Sequence, residues 1–437
     1  MNKNDEITLQ IHDLHANGNG VGRGSDGRAV FIPNALPGES IRAKILKVKK
    51  NYAYGKLIKI LTPSPDRLEG DGVCAHFGKC GGCQFQHYAY PAQLAFKEKV
   101  VRDAFARIAG IVDCEVRPII GMDKPYHYRN KAQVPRGMGF YSVRSHRLVP
   151  INECAIQHPV CMEVMKVVQG MNLSLYDEES YSGLLRHLVV RVGQNTGEVM
   201  VIFVVNGTIG KDNSPFTKMD LPCSTIVLNE NTAKTNVILG SKFTTIKGTG
   251  YIHEELKGIR YRISPGAFFQ TNTIQTKVLY DLVADNIENS KRVIDAYCGI
   301  GGIALYVADR VQEIVGIESS FAAVEDAKYN AELNGINNTS FICGLSEELV
   351  PELLCKDAKD FDTLILDPPR KGCEASLLGA IVDAKISKII YISCDPATLA
   401  RDAKILAEGG YSLNFVQPVD MFPMTGHIEV LSHFSYK

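Results

Sequence analysis

The sequence predicts an α/β protein in which a doubly wound sheet follows a small β-barrel and a central α+β region. Three observations predict this order. Short strand-like bursts between glycine-rich turns fill the first 62 residues, apolar runs typical of hairpins follow, and strands alternate with helices from about residue 264. Because the chain exceeds the usual size of one domain, we divide it into residues 1–62, 63–262 and 263–437.

Composition limits the possible functions. The chain has 48 basic and 48 acidic residues, so a nucleic-acid partner would have to meet a local basic patch. The N-terminus lacks an apolar signal core, and the apolar run Val199–Val205 is far too short to span a bilayer. Twelve cysteines without a secretory leader indicate thiols, metal ligands or catalysis rather than disulfides. We therefore expect a cytoplasmic protein without membrane contacts.

The first segment has the pattern of a small antiparallel barrel, with turns at "NGNGVG", "GSDG" and "NALPGE". Within it, residues 41–60 are rich in lysine, contain no acidic residue and include Tyr52 and Tyr54. Such a surface can follow phosphates and stack bases. Lysines that protect an edge strand from aggregation would explain the pattern equally well.

The central region combines one clear helix with a hairpin. Apolar residues recur near helical spacing between Pro91 and Gly110, and Gly110 can close the helix. The segments "RHLVVRVG" and "GEVMVIFVV" predict a hairpin around "QNTG".

Seven apolar segments in the last region predict strands: "RVIDAYC", "EIVGIES", "TSFIC", "FDTLILDPP", "KIIYISC", "LNFVQPVDMF" and "HIEVLSHF". Helical stretches between the first several require parallel neighbours, whereas "PMTG" between the last two permits an antiparallel pair. This pattern resembles the class I S-adenosylmethionine-dependent methyltransferase fold.

The first strand of that region ends in a glycine-rich turn. The stretch "VIDAYCGIGGIAL" places Asp295 at the strand end, with Gly299 and Gly301 behind it, and Glu318 ends the next strand. Glycines there let a cofactor approach the backbone, and an acid on the second strand can bind ribose hydroxyls. The pattern also matches nicotinamide-binding domains and a purely structural turn.

Three reactive side chains follow later strands. Asp367 ends the fourth strand in "LILDPPRKG", where two prolines stiffen the turn. Cys394 ends the fifth in "IIYISCDPAT", so it faces the same crevice with a thiol that can act as a nucleophile. Glu429 follows the loop "PMTGH" and can reach that rim as a base. Alone, each residue also fits a structural role: a turn, a buried thiol or a surface charge.

Together, "DPPRKG", "IIYISCDPAT" and "VDMFPMTGHIE" closely resemble the signatures of the RNA (uracil-5-)-methyltransferase family. The resemblance implies that Cys394 adds to C6 of the target uracil and that Glu429 removes the C5 proton. It also implies that S-adenosyl-L-methionine is the cofactor, with contacts that fall on Gln270, Tyr297, Glu318 and Asp367. In "YHYRNKAQVP", Arg129 matches a family arginine near the substrate. Asp395 departs from the usual asparagine, which puts any amide-donor role in doubt and leaves a capping role.

The cysteine cluster and the barrel bear on the substrate. Cys74, Cys80 and Cys83 stand at C-x₅-C-x₂-C, which favours an iron–sulfur cluster, with zinc as the alternative. The family resemblance places the fourth ligand at Cys154, with Cys161 as the nearby alternative. The N-terminal segment resembles a TRAM domain, an RNA-binding barrel. This combination is that of the bacterial 23S ribosomal RNA enzymes of the family, so we expect a 4Fe–4S cluster, a loop or single-stranded uridine in 23S rRNA as substrate, and a monomer.

Other functions stay open from the sequence. A transfer-RNA 5-methyluridine enzyme would use the same chemistry. A radical S-adenosylmethionine methylthiotransferase also joins a TRAM barrel to a cluster, but its motif is C-x₃-C-x₂-C, which the gap from Cys74 to Cys80 does not match. A non-catalytic iron–sulfur RNA-binding protein would leave Cys394, Asp367 and Glu429 without a purpose.

Overall fold

The computed structural model describes residues 1–68, 70, 74–143, 145–210, 215–217, 219–288, 290–357 and 361–437. The N-terminal strands form a closed barrel in the order β1-β2-β3-β5-β4. They are β1 (Glu6–Leu14), β2 (Gly20–Arg23), β3 (Ala29–Ile32), β4 (Ser40–Val48) and β5 (Tyr52–Thr62). Alternating apolar side chains fill the barrel, as the predicted pattern requires. The expected all-antiparallel pairing is wrong in one place, because β3 and β5 pair in parallel to close the barrel.

A mixed five-stranded sheet forms the centre of the chain, in the order β12-β11-β10-β9-β6. Its strands are β6 (Lys131–Pro135), β9 (Leu185–Val192), β10 (Val199–Val205), β11 (Thr225–Glu230) and β12 (Lys242–Lys247). The predicted hairpin is the antiparallel pair β9–β10. A small hairpin of β7 (Gly139–Tyr141) and β8 (Leu148–Pro150) lies beside it, with helix α2 (Pro159–Gln169).

Both faces of the central sheet are covered, which explains why β10 is apolar without alternation. Val201, Phe203 and Val205 pack with α2, whereas Met200 and Ile202 pack into the core of the C-terminal region. The central sheet therefore forms one wall of the C-terminal region rather than a separate unit.

The C-terminal sheet has seven strands in the order β17-β16-β15-β18-β19-β21-β20. All seven predicted strands are present: β15 (Arg292–Ala296), β16 (Glu313–Glu318), β17 (Thr339–Cys343), β18 (Thr363–Leu366), β19 (Lys388–Ser393), β20 (Tyr411–Val419) and β21 (Glu429–Tyr436). Strand β21 runs opposite to the other strands of this sheet and pairs antiparallel with both β19 and β20, as the short connection after β20 predicts. The predicted doubly wound fold is confirmed.

Helices cover both faces of this sheet, and a hairpin of β13 (Ile252–Leu256) and β14 (Ile259–Ile263) precedes it. The helices are α3 (Thr273–Asn286), α4 (Gly302–Tyr306), α5 (Phe321–Leu333), α6 (Ser346–Asp357), α7 (Ala375–Ala384) and α8 (Pro396–Glu408), with a 3₁₀ turn at Ala308–Arg310. Among the described residues, the structure contains no helix with the length and apolar character needed to cross a bilayer.

Helix α1 (Tyr90–Ala104) continues as a π-helical segment, Phe105–Ala109, and ends at Gly110 in the left-handed conformation. The helix belongs to the central region by sequence. Its residues Val101 and Phe105 nevertheless lie in the core around β18 and β19. The predicted boundaries at 62/63 and 262/263 therefore describe the order of the regions along the sequence. In the folded chain, α1 packs in the C-terminal core.

A buried ion pair fixes α1 to the loop after β20. Lys97 Nζ lies 2.5 Å from Asp420 Oδ1 and donates to the Phe422 carbonyl, and both charged side chains are fully buried. Tyr90 donates its hydroxyl to Asp420 Oδ2 at 2.9 Å. Because residues 420–428 lead directly into Glu429, this pair sets the position of the loop before β21.

We expect Lys97→Met to lower the free energy of unfolding by about 3–5 kcal/mol, because Asp420 would stay buried without its cation. The exposed Lys99, which pairs with Asp13 and Asp103, provides the control, and Lys99→Met should cost about 0–1 kcal/mol. The double variant Lys97→Met/Asp420→Leu should recover much of the loss. Urea unfolding measures all three, and a single Lys97 variant as stable as the parent would contradict this account.

Candidate active site

Cys394 and Glu429 lie opposite each other on neighbouring strands. In the antiparallel pair β19–β21, Ser393 is paired with Val430, so the next position on each strand brings Cys394 to the level of Glu429. β18 and β19 are parallel neighbours, and Asp367 directly follows β18 at the same edge. The three side chains that the sequence predicts for one rim are therefore brought together.

The charges at this rim are strongly coupled. Burial raises the pKa of the Cys394 thiol to about 11, with Glu429 and Asp367 adding to the rise and Arg370 opposing it. Burial, together with Asp367, raises the pKa of Glu429 well above its usual range, and Arg370 again opposes the rise. Arg370 is thus the cation that favours the charged form of both groups.

The turn after Cys394 is a capped helix start. Pro396 occupies the first helical position of α8, and Asp395 Oδ1 accepts hydrogen bonds from the Ala397 and Thr398 N–H groups at 2.9 and 3.2 Å. An aspartate caps as well as an asparagine does. The unusual residue at position 395 therefore keeps the turn that aims Cys394.

Three of the four residues predicted for cofactor binding line one cavity at the carboxyl ends of β15 and β18. They are Gln270, Tyr297 and Asp367. The fourth, Glu318, lies at the end of β16, where its Oε2 accepts the Gly299 N–H at 3.2 Å and its Oε1 accepts the Ser320 N–H at 2.7 Å. These bonds hold its carboxylate at the edge of the glycine turn.

The backbone of this turn is itself unusual. Gly299 and Gly301 have φ values of 56° and 80°, which favour glycine. Tyr297 also has a positive φ of 72°, a conformation that costs a side-chain-bearing residue energy and is often found at functional sites. Its hydroxyl donates to Glu347 Oε1 at 3.2 Å, which fixes the ring against the cavity wall.

The four predicted cluster cysteines line a second cavity of about 240 Å³. They are Cys74, Cys80, Cys83 and Cys154. Donors already point at two of the sulfurs: Gly82 N–H lies 3.4 Å from Cys80 Sγ, and Gln86 Nε2 lies 3.5 Å from Cys83 Sγ. Such hydrogen bonds are typical of thiolates that bind iron–sulfur clusters, so the donor set fits that group.

The alternative fourth ligand, Cys161, lies on α2, is fully buried in the apolar core of the central sheet and does not line this cavity. Within the described ranges, no group of three or more histidine, cysteine, aspartate or glutamate side chains has the arrangement of a site for one metal ion. An iron–sulfur cluster in this cavity therefore stays a prediction from the sequence, and so does the alternative zinc ion.

Basic side chains lie near the cysteine cavity. Arg129 lines the cysteine cavity. Burial lowers the pKa of His427, and the charges of Arg370 and Arg129 lower it further. The Nδ1 atom of His427 lies 3.4 Å from Nη2 of Arg370. The neighbour of Arg129 on β6, Lys131, has a pKa lowered to about 7 by burial and by Arg191 and Arg129. Cations held together in this way favour an anionic ligand.

Sequence reasoning missed three residues of this site. The sequence indicates Asp295 only as a strand end, whereas the structure places it in the cavity lined by Gln270, Tyr297 and Asp367. Arg370 stands within the "DPPR" motif and His427 within "TGH", but neither motif indicates which charges they face. The signal for Asp295 is its place beside the glycine turn, whereas the other two depend on how the loop after β18 and the loop before β21 approach each other across β19.

Comparison with family models gives two matches. Residues 225–433 match the model described as tRNA (uracil-5-)-methyltransferase, and residues 2–58 match the TRAM domain. The first match begins within the central sheet, at β11, and covers Cys394 and Glu429.

Two relatives match the whole chain, and a solved structure matches nearly all of it. An uncharacterized RNA methyltransferase of Halalkalibacterium halodurans is 43% identical over 100% of this chain and 98% of its own length, and one of Listeria innocua is 42% identical over 100% and 99%. The crystal structure of Pyrococcus abyssi tRNA (uracil-54, C5)-methyltransferase in complex with S-adenosyl-L-homocysteine has a TM-score of 0.80 at 29% identity. It covers 98% of this chain and 100% of that one.

Proposed function

Because the chain belongs to the RNA (uracil-5-)-methyltransferase family and carries a TRAM domain, we propose that it methylates C5 of a uridine in 23S ribosomal RNA through a transient Cys394–C6 bond. The observation that carries this proposal is the pairing register of β19 and β21. In this register Cys394 lies opposite Glu429, and Asp367 lies at the same edge of the sheet. S-adenosyl-L-methionine is the cofactor and supplies an electrophilic methyl group.

The chain's own residues account for the rest of the reaction. Cys394, once deprotonated, adds to C6 of the uracil, and the electron pair passes to C5, which becomes nucleophilic enough to take the methyl group. Glu429 then removes the C5 proton, the double bond re-forms, and the thiolate of Cys394 leaves. A carboxylate whose pKa is raised by burial is a stronger base for that proton than a surface glutamate.

The RNA must present its target base outside a helix, because C6 of a stacked base cannot be reached. Arg129, which lines the cysteine cavity, is suited to hold a phosphate beside the flipped nucleotide. On the barrel, Phe31, Tyr52 and Tyr54 form an aromatic group with ring centroids 5.5–5.8 Å apart, next to the lysines of β4 and β5. This group is suited to stack further bases of the bound RNA. We expect the enzyme to act as a monomer.

A transfer RNA is the second candidate substrate, and one observation favours it. The Pyrococcus abyssi enzyme, which matches over 98% of this chain, acts on a transfer-RNA uridine according to its description. The barrel and the cysteine cavity support the ribosomal substrate through the family resemblance.

We expect Glu429→Gln, incubated with RNA substrate and S-adenosyl-L-methionine, to accumulate a protein–RNA adduct that survives a denaturing gel, because the C5 proton can no longer be removed. The parent protein should show little adduct. Adding Cys394→Ser should abolish the band, whereas adding Cys355→Ser, an exposed thiol that lines neither cavity, should leave it. An adduct that persists without Cys394 would contradict the mechanism.

Mapping 5-methyluridine in cells with and without the gene distinguishes the two substrates. We expect the modification to disappear from 23S rRNA and to stay in transfer RNA, and complementation with Cys394→Ala should not restore it. Loss confined to transfer RNA would contradict the ribosomal proposal and support the second candidate.

We also propose that Cys74, Cys80, Cys83 and Cys154 bind an iron–sulfur cluster that braces the central region. Anaerobically purified protein should contain iron and acid-labile sulfide and absorb in the visible range. Cys83→Ala and Cys154→Ala should lose iron, whereas Cys161→Ala should retain it because that thiol lies in the apolar core. Zinc in place of iron, or iron loss only with Cys161→Ala, would contradict this assignment.

A further inference from the structure

The turn at residues 422–426, which precedes Glu429, has a strained backbone. Met424 has a φ of 64°, a left-handed conformation that costs a residue with a side chain energy and persists only where the surroundings impose it. Thr425 donates its hydroxyl to the Phe422 carbonyl at 2.8 Å, which closes the turn. The groups around Met424 therefore determine the shape of this turn.

Gln93 on α1 joins the turn to the cysteine segment, which we define as residues 74–88. Its Oε1 accepts the Met424 N–H at 3.2 Å. Its Nε2 donates to the Phe85 and Tyr88 carbonyls at 3.1 and 2.7 Å. Gln93 is fully buried, so these main-chain groups would lose buried hydrogen bonds if its amide were removed. One side chain therefore binds the turn and the cysteine segment at once.

The cysteine segment also contacts the turn directly. The N–H groups of Gln84 and Phe85 both donate to the Met424 carbonyl, at 2.9 and 3.0 Å. The Gly426 N–H donates to Gln84 Oε1 at 3.4 Å. The side chain of Met424 lies in a small apolar cluster against which Cys83 packs. The position of Met424 and that of the cysteine segment are therefore fixed together.

The turn leads to the catalytic base and to the cation that acts on it. Residues 427–428 connect the turn to Glu429. His427 Nδ1 lies 3.4 Å from Arg370 Nη2, and Arg370 favours the charged form of Glu429. A shift of the turn would therefore displace both the start of β21 and the histidine beside Arg370. Proton removal at C5 depends on where the carboxylate lies and on its charge.

We propose that Gln93 is a positioning residue for Glu429, and that through Gln93 and Gln84 the cysteine segment helps to hold that base in place. The inference rests on the proposed function, because it concerns the second half of that reaction. It gives the cysteine segment a task in a reaction that has no redox step.

The two halves of the reaction depend on different groups. In the first, Cys394 adds to C6 and C5 takes the methyl group, with no base needed at C5. In the second, the C5–H bond breaks and its proton passes to Glu429. The C5–C6 double bond re-forms, and the C6–S bond returns its electron pair to Cys394. A displaced Glu429 therefore slows release of the RNA more than it slows methyl transfer.

The substitution Gln93→Met separates positioning from general stability. Methionine has nearly the length of glutamine, but it cannot donate to a carbonyl and is only a weak acceptor. Gln169→Met is the matched control. Gln169 on α2 likewise donates from Nε2 to two carbonyls, those of Met138 and Ile151 in the central region. Both variants lose hydrogen bonds from a glutamine amide, whereas only Gln93→Met frees Met424.

Double labelling measures the two halves separately. The substrate is total RNA from cells that lack the gene, labelled with tritium at C5 of uracil, and the methyl donor is ¹⁴C-labelled S-adenosyl-L-methionine. Tritium released to water reports proton removal, and ¹⁴C in the RNA, free or bound to protein, reports methyl transfer. In the parent protein and in Gln169→Met, tritium release should keep pace with methyl transfer. In Gln93→Met we expect release to lag about tenfold or more in the first turnover, with a protein–RNA adduct on a denaturing gel.

Tritium release that keeps pace with methyl transfer in Gln93→Met would overturn the inference while the proposed function stands, and so would an equal lag in Gln169→Met. Where Gln93→Met folds poorly, Gln84→Met provides the test, because it loses the side-chain bond to Gly426 and keeps the backbone bond to Met424. Its release should lag by a smaller factor, and the absence of a lag would then overturn the inference. If the parent protein transferred no methyl group to this RNA, the proposed function would fail and the inference with it.

Discussion

The antiparallel insertion of β21 between β19 and β20 is the constraint on which the site depends. In a parallel sheet the carboxyl ends of all strands meet at one edge, so a residue that begins a parallel strand lies at the opposite edge. Because β21 is reversed, its first residue, Glu429, lies at the edge where β19 delivers Cys394. The loop that allows this reversal is anchored by the buried Lys97–Asp420 pair.

Desolvation rather than attraction dominates the electrostatics of the crevice. Cys394, Asp367 and Glu429 all have pKa values displaced toward their neutral forms, mainly by burial. The lost hydration therefore has to be compensated, by Arg370 or by a ligand, whenever one of these groups is charged. This suits a reaction in which a thiolate and a carboxylate must each be charged only for part of the cycle.

The local sequence predicted what depends on local pattern. Strands such as β15 and β19, the helix ended by Gly110 and the capped turn at Asp395 follow from short-range preferences. Cys394, Asp367 and Glu429 could be placed together because strand ends in one sheet share an edge. The parallel closure of β3 on β5 and the burial of α1 in another region's core could not be predicted. Each depends on which distant surfaces meet.

The packing of α1 also affects how the polypeptide is made. Its apolar face, with Val101 and Phe105, is covered by residues around β18, β19 and β21 that leave the ribosome much later. A growing chain must therefore keep this face exposed until the last strand emerges, when the core can close. A C-terminal fragment made without this helix would lack part of the apolar cover of its sheet.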